Sequence, residues 1–303
     1  MELTHIAKRE GRLSGFLKNE MAMSTGLINR LKWQNKILVN GTPQHNDFLV
    51  SPGDVICALL DDPQPEYPAE FGDLTILYED AHLLAVDKPA GMLIHPSRSR
   101  NTGTLANRVA GYYQRTGQNC AFHPVTRLDR DTFGVVLLGK NAHVHTLLQN
   151  CDLQKTYHAL VFGKMPAEEG VIDAPIARKP LPSLLREVHP DGKPSMTQYR
   201  VLEKHDGYTK LALIPVTGRT HQLRVHFSHL GFPILGDDIY GESSPLMERH
   251  ALHALSLSFP MPFARMREDV AEDALPLVGL DPTLPLNHPT PDGYLHTWAP
   301  VPA

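Results

Sequence analysis

A break at 61–70, DDPQPEYPAE, constrains this chain more than any other feature. Three prolines and four acids in ten residues remove backbone donors and cannot supply a core. The 303 residues are therefore expected to fold as a small N-terminal unit, 1–60, a linker, 61–72, and a large unit, 73–303.

The small unit reads as two helices and two strands. Leu13, Phe16 and Leu17 fall at helical spacing, and Ser24 is placed to cap a second helix carrying Leu27, Ile28 and Leu31. Ile37–Val39 runs into an Asn40-Gly41 turn, and Val55–Leu60 follows Ser51-Pro52-Gly53-Asp54. Lys8, Arg9, Arg12, Lys18, Arg30, Lys32 and Lys36 outnumber Glu2, Glu10 and Glu20 here, although the chain's net charge is −4. A solvated helical surface accounts for charge alone, whereas a phosphate-contacting face is the sharper expectation.

From Leu74 the texture changes. LTILYEDAHLLAVDKPAG reads as two strands joined by a Glu79-Asp80 turn. Val135–Gly139, Tyr157–Phe162, Thr197–Glu203 and Tyr208–Pro215 are further strand segments. Helices are expected at Gly103–Tyr113, Asn141–Gln149 and Thr220–Leu230. Strands outnumber helices without strict alternation, which points to an α+β fold on a mixed, largely antiparallel sheet.

Several function classes are excluded at this level. Cys57, Cys120 and Cys151 are widely spaced with no CxxC pair, so neither a disulfide framework nor a thiolate zinc site is expected. No apolar run approaches the ~18 residues of a membrane helix, and no signal peptide is read at the N-terminus. A cytoplasmic location without a membrane partner is expected. The chain lacks GxxxxGK[ST], GxGxxG and GxSxG motifs. His226/His229, His143/His145 and His250/His253 each lack a third ligand, so no metal site is expected.

Chemistry concentrates in three stretches. In VTRLDRDTFGVVLLGKN, Val125–Asn141, Asp129 stands between Arg127 and Arg130 at the mouth of an apolar strand. A carboxylate there needs a partner, and the flanking arginines surround it with positive potential. Such a positioned carboxylate can act as nucleophile, base or stabiliser of positive charge. In LQKTYHALVFG, Tyr157 opens a strand and is either a core ring or a platform for a nucleobase. In PVTGRTHQLRVHFSHLGFPILGDDIYG, Arg219 and Arg224 fall on different helix faces, so one can address a site while the other meets solvent or phosphate.

Together these stretches resemble the three signature motifs of the RluA-type pseudouridine synthases. ILYEDAHLLAVDKPAGMLIHPS and GKPSMTQYRVLE resemble that family's flanking segments, over about Leu74 to Phe259 with a weaker tail ending at WAPVPA. RLSGFLKNEM, STGLINRLKW, ILVNG and VSPGDVI, over roughly residues 11–60, resemble the small alpha-L RNA-binding domain. The resemblance implies an isomerase that flips a uridine out of structured RNA, ribosomal or transfer, and rejoins uracil through carbon 5 without a cofactor. An RNA-binding protein of the same fold that has lost catalysis is the alternative. The implied catalytic residues are Asp129, Tyr157, which stacks on uracil and helps remove the carbon-5 proton, and Arg224, which pairs with the carboxylate. Whether Asp129 adds covalently or assists a glycal route stays open. Leu223 is implied to pack on the base and Arg127 to enter the vacated stack. Arg219 and Gln222 are further expected RNA or uracil contacts, and a monomer is expected. Thr126 and Phe133 replace the family's usual His and Ser, which puts target identity in question, whereas Asp87 in place of a frequent Asn is a minor departure. Basic loops at Ile94–Arg108 and Ile176–Pro194 are candidate RNA contacts, whereas Arg265–Pro289 suggests no role.

Overall fold

The structure, a computed structural model, describes residues 2–60, 67–97, 100–245 and 247–259, and the backbone of 277–279. Residues 61–66 of the expected linker, most of Arg265–Pro289 and the WAPVPA tail lie outside the described residues.

Residues 2–60 form a unit around their own core. It contains β1 (Glu2–Ile6), β2 (Gly11–Arg12), α1 (Leu13–Gly15) running into a π turn, α2 (Thr25–Trp33), β3 (Ile37–Val39), β4 (Thr42–Pro43), β5 (Leu49–Val50) and β6 (Val55–Leu59). Ser24 caps α2 by accepting the Leu27 N–H at 3.2 Å. Leu13, Phe16, Leu17, Ile28 and Leu31 pack against Ile37, Val39 and Ile56 from the sheet.

The large unit is built on one ten-stranded sheet. Its strands are β7 (Thr75–Glu79), β8 (Leu83–Lys88), β9 (His123–Pro124), β10 (Phe133–Gly139), β11 (Gln154–Phe162), β12 (Glu169–Asp173), β15 (Met196–Lys204), β16 (Tyr208–Pro215), β17 (Leu252–Ser258) and β18 (Leu277–Gly279). A separate ribbon joins β13 (Ile176–Arg178) to β14 (Arg186–Val188). The helices are α3 (Leu105–Arg115), α4 (Ala142–Gln149) and α5 (Gln222–His229). The main order is β12-β15-β16-β11-β17-β10-β8-β7, antiparallel throughout except for the parallel β10–β17 pair. Within the otherwise role-less Arg265–Pro289 segment, β18 pairs with β17.

The period of two explains why every residue of β10 is buried. Val135 and Leu137 point to one face, where Val144 and Leu148 of α4 cover them. Val136 and Leu138 point to the other, against Leu105, Val109 and Tyr113 of α3. Each such burial contributes about 1.5–3 kcal/mol. At the far side of the sheet, Leu223 and Phe227 of α5 pack on Ala159, Val161, Leu211 and Leu213.

The linker expected over 61–72 is shorter than its composition suggests. Glu70 accepts the Gly103 N–H at 2.9 Å, Asn107 donates to the Pro68 carbonyl at 2.9 Å, and Arg108 donates to the Phe71 carbonyl at 2.8 Å. Residues 67–72 are thus docked on α3, because their backbone groups satisfy its polar face.

Gly134 sits where β10 meets β17. Its φ is +113°, and a Cβ there would stand 2.1 Å from the Ala254 carbonyl oxygen. Gly134→Ala is expected to destabilise the protein by about 2–4 kcal/mol, read as a lower urea midpoint, because strain and overlap act together. A midpoint within error of the parent would show that the β10–β17 contact has room to give.

Candidate active site

A cavity of about 850 Å³ opens at one end of the sheet. Its walls come from the loop before β10, the start of β11, the 215–221 loop and α5. Arg127, Arg130, Lys155, Arg219 and Arg224 line it against a single carboxylate, Asp129. The site is therefore cationic within an acidic chain, and five cations around one anion suit a polyanionic ligand.

Arg224 organises the site. Its Nε and Nη2 donate to Asp237 Oδ2 and Oδ1, both at 2.7 Å, and its Nη1 donates to Asp129 Oδ2 at 3.1 Å. The Arg224 and Asp237 side chains are 5% and 1% exposed, whereas Asp129 keeps 27%. Burial opposes the guanidinium charge, but the Asp237 pair and then Asp129 outweigh it and raise its pKa. For Asp237, burial works upward and the Arg224 hydrogen bond prevails downward. Asp237 also accepts the Ile239 and Tyr240 N–H groups at 3.1 Å, which folds the GDDIYG turn around its carboxylate.

The flanking arginines do not pair with Asp129, contrary to the expectation from the RLDR spacing. Arg130 turns to Asp131, with Nη2–Oδ2 at 2.8 Å. Arg127 is exposed and makes no hydrogen bond or ion pair among the described residues. The partner of Asp129 comes instead from α5, as Arg224.

Tyr157 lines the cavity, and its ring packs with the cluster that contains Leu223. Burial, with Asp129 second, raises its phenol well above the usual value, so the hydroxyl stays protonated. Leu223 is 6% exposed on the cavity wall. Arg219 is exposed and tethered through Nε to the Pro194 carbonyl at 3.1 Å. Gln222 departs from expectation. Its Oε1 accepts from Thr217 and the Arg219 N–H, and its Nε2 donates to the Met196 carbonyl and Thr197. Its amide is saturated by protein and holds the 215–221 loop, which leaves nothing for a base.

Three supporting residues, Lys88, His221 and Asp237, lie outside the expected set. Lys88 is fully buried and donates to the Pro89, Met92 and Arg130 carbonyls at 2.9, 2.9 and 3.0 Å, which fixes the loop just past Asp129. Burial lowers its pKa to about 8, against the opposing pull of Asp131 and Asp129. His221, at φ +56°, places Nε2 at 3.8 Å from Asp129 Oδ2 and Nδ1 at 2.7 Å from the Tyr240 hydroxyl. That hydroxyl accepts the Arg186 N–H at 3.0 Å, which links the β13–β14 ribbon to the site. Asp237 had a visible signal, an aspartate in a Gly-rich turn close behind an Arg helix. Lys88 and His221 had none, since each acts on backbone or at a distance along the chain.

The two unusual residues lie behind the loop. Thr126 is 4% exposed and its hydroxyl accepts the Leu137 N–H at 3.0 Å. Phe133 stacks on His253 with ring centroids 4.4 Å apart. Both brace the loop against the sheet. His250 adds a contact to Thr132 Oγ1 at 2.8 Å.

The chain as a whole is similar to proteins of one family. A family model described as RNA pseudouridylate synthase matches residues 82–229. A Bacillus subtilis protein described as an uncharacterized RNA pseudouridine synthase, YhcT, is 36% identical over 263 residues, covering 84% of this chain and 87% of its own. Ribosomal large subunit pseudouridine synthase D of Pseudomonas aeruginosa is 33% identical over 291 residues, 89% of this chain and 86% of its own. The structure of human RNA pseudouridylate synthase domain containing 1 superposes with a TM-score of 0.55 at 29% identity, covering 70% of this chain and 85% of that one.

Two outcomes follow from the geometry. Asp237→Ala leaves a buried guanidinium half-paired and is expected to cost about 3–5 kcal/mol in urea unfolding. Asp129→Asn, at the more exposed end, is expected to cost within about 1 kcal/mol. Equal losses would show that Arg224 leans on both carboxylates alike. The second concerns acid. Burial lowers His158 and His250 to about 4 and His253 to about 3. These histidines are neutral when folded and charged when unfolded below about 6.5. Their contribution is whole above that pH and is lost as pH falls from 6.5 towards 4, by about 1.4 kcal/mol per unit for each. Urea midpoints at pH 7.5 and 5.0 should differ strongly, and His253→Gln should flatten the dependence by one proton.

Proposed function

Because the chain belongs to the RNA pseudouridylate synthase family, in its RluA-type branch, we propose that Asp129, Tyr157 and Arg224 carry out its conversion of uridine to pseudouridine. The same proposal takes ribosomal RNA as the substrate, in line with relatives named for the large ribosomal subunit. The observation that carries it is a lone, guanidinium-held carboxylate in a cavity otherwise lined by cations.

The reaction breaks the bond from ribose carbon 1′ to uracil N1, turns the base and joins carbon 5 to carbon 1′; carbon 5 loses its proton and N1 takes one up from solvent, so the product is an isomer of the substrate. A stacked base cannot do this, so it must leave the helix. Arg127 is free to occupy the vacated place. The flipped uracil rests between Tyr157 and Leu223. Arg224 holds Asp129 Oδ2, and Oδ1, which has no protein partner among the described residues, faces the reaction. Tyr157 keeps its hydroxyl proton and serves as a stacking and hydrogen-bonding surface, so it does not begin as a base. Asp129 is the carboxylate within the cavity available to accept the proton from carbon 5. Asp237 absorbs the rest of the Arg224 charge and keeps the guanidinium from swinging away.

Structured RNA reaches beyond the cavity. The β13–β14 ribbon, with Leu181 and Leu184 at 77% and 71% exposure, is one proposed contact. The N-terminal unit is a second: α2 carries Arg30 and Lys32 beside Trp33, which is 84% exposed. Cations around an exposed ring favour a phosphate backbone and a stacked base. A cytoplasmic monomer fits this role.

Tritium release from RNA labelled at carbon 5 of uridine tests the assignment. Total RNA from cells lacking the protein should release tritium with the parent protein and none above background with Asp129→Asn. Mapping of the converted uridines should place them in ribosomal RNA. No release by the parent protein, with RNA binding intact, would move the chain to a binding-only role.

A further inference from the structure

Lys155 is the one cation of the cavity wall, besides Arg127, with no hydrogen bond or ion pair among the described residues. It is partly buried near the start of β11, and its Nζ lies against the 215–221 loop, 3.9 Å from where a Cβ on Gly218 would stand. Burial alone lowers its pKa, with no neighbouring charge acting on it. A half-buried ammonium without an acceptor costs free energy and is retained where a ligand supplies the missing anion. Lys155 and Tyr157 are two residues apart on β11, so they share a face about 7 Å apart, the span of one nucleotide. The irregularity in the β11–β17 register falls on β17, where Leu255 is the extra residue, so this alternation along β11 is unbroken. A base stacked on Tyr157 thus brings the phosphate of its own nucleotide, or of the next, to the Lys155 head group.

Resting on the pseudouridine synthase reading, we infer that Lys155 is a phosphate subsite that grips the RNA backbone beside the flipped uridine. It binds and orients the substrate and takes no part in bond making. The contact is the same before and during reaction, so it acts on KM and leaves kcat alone. Asp129 is far enough along the wall that the two charges are not paired, which leaves the ammonium for the substrate.

The test uses a stem-loop RNA holding one uridine that the parent protein converts, made with a neutral methylphosphonate either 5′ or 3′ of that uridine. Lys155→Met keeps the stem's bulk and removes the charge. On native RNA it should raise KM about tenfold or more, leave kcat within about threefold, and lower the salt slope of binding by about one unit. On one of the two neutral-linkage RNAs the parent protein should show the same loss, and Lys155→Met should lose nothing further. Lys155→Arg should restore most of the affinity. Full loss by Lys155→Met on both neutral-linkage RNAs would assign the contact to the base instead, and a fall in kcat would assign Lys155 to the chemistry; either overturns the inference. If Lys155→Met does not fold, the parent protein and Lys155→Arg on the neutral linkages decide the matter alone. A parent protein that converts no uridine would overturn the functional reading itself and this inference with it.

Discussion

One guanidinium shared between two carboxylates holds the site together. Arg224 meets Asp237 through two short hydrogen bonds and Asp129 through one longer one. The asymmetry matters chemically. The bidentate pair is buried and fixes the position and plane of the guanidinium, and the single bond fixes one oxygen of a carboxylate that still reaches substrate. A guanidinium satisfied by Asp129 alone would collapse onto it and screen it. With Asp237 present, Arg224 is a fixed strut, and Asp129 is aimed without being consumed.

The rest of the molecule can be understood as support for that strut. Phe227 anchors α5 on β11 and β16, and Gln222 clamps the loop that leads into it. Lys88 gathers three carbonyls and fixes the loop on the other side of Asp129. Gly134 lets β10 approach β17 closely enough for both to end at one cavity. Stability is placed around the site, while Arg127 and Lys155 on the cavity wall keep head groups with no protein partner among the described residues.

How much of this the sequence discloses depends on the range of the interaction. β10 is legible because of its unbroken apolar run, Val135 to Leu138, and α2 because Ser24 announces its start. Asp129, Tyr157, Leu223 and Arg224 are legible through long motifs whose order is informative, and they meet at one cavity. Local charge misleads: the RLDR spacing suggests that neighbours hold Asp129, yet backbone geometry sends Arg130 to Asp131 and Arg127 to solvent. Gln222 misleads for a similar reason, since a polar residue close to Arg224 looks free until its four partners are seen. The linker reads longer in the sequence than in the fold because Glu70 looks solvated, and its partner, the Gly103 N–H, lies 33 residues away in the chain. Leu252–Ser258 and Glu2–Ile6 carry no local strand signal, and pairing partners far away in the chain decide both.

The position of β17 has a consequence for how the protein is made. This strand lies between β10 and β11 in the sheet, although it follows both by about a hundred residues in the chain. As synthesis proceeds from the N-terminus, Asp129 and Tyr157 emerge long before the strand that sets their separation. Until Leu252–Ser258 has left the ribosome, the two halves of the sheet have no common member and the cavity has no fixed width. The nascent chain therefore carries Asp129 and Tyr157 well before Arg224 and the strand that joins the two halves of the sheet.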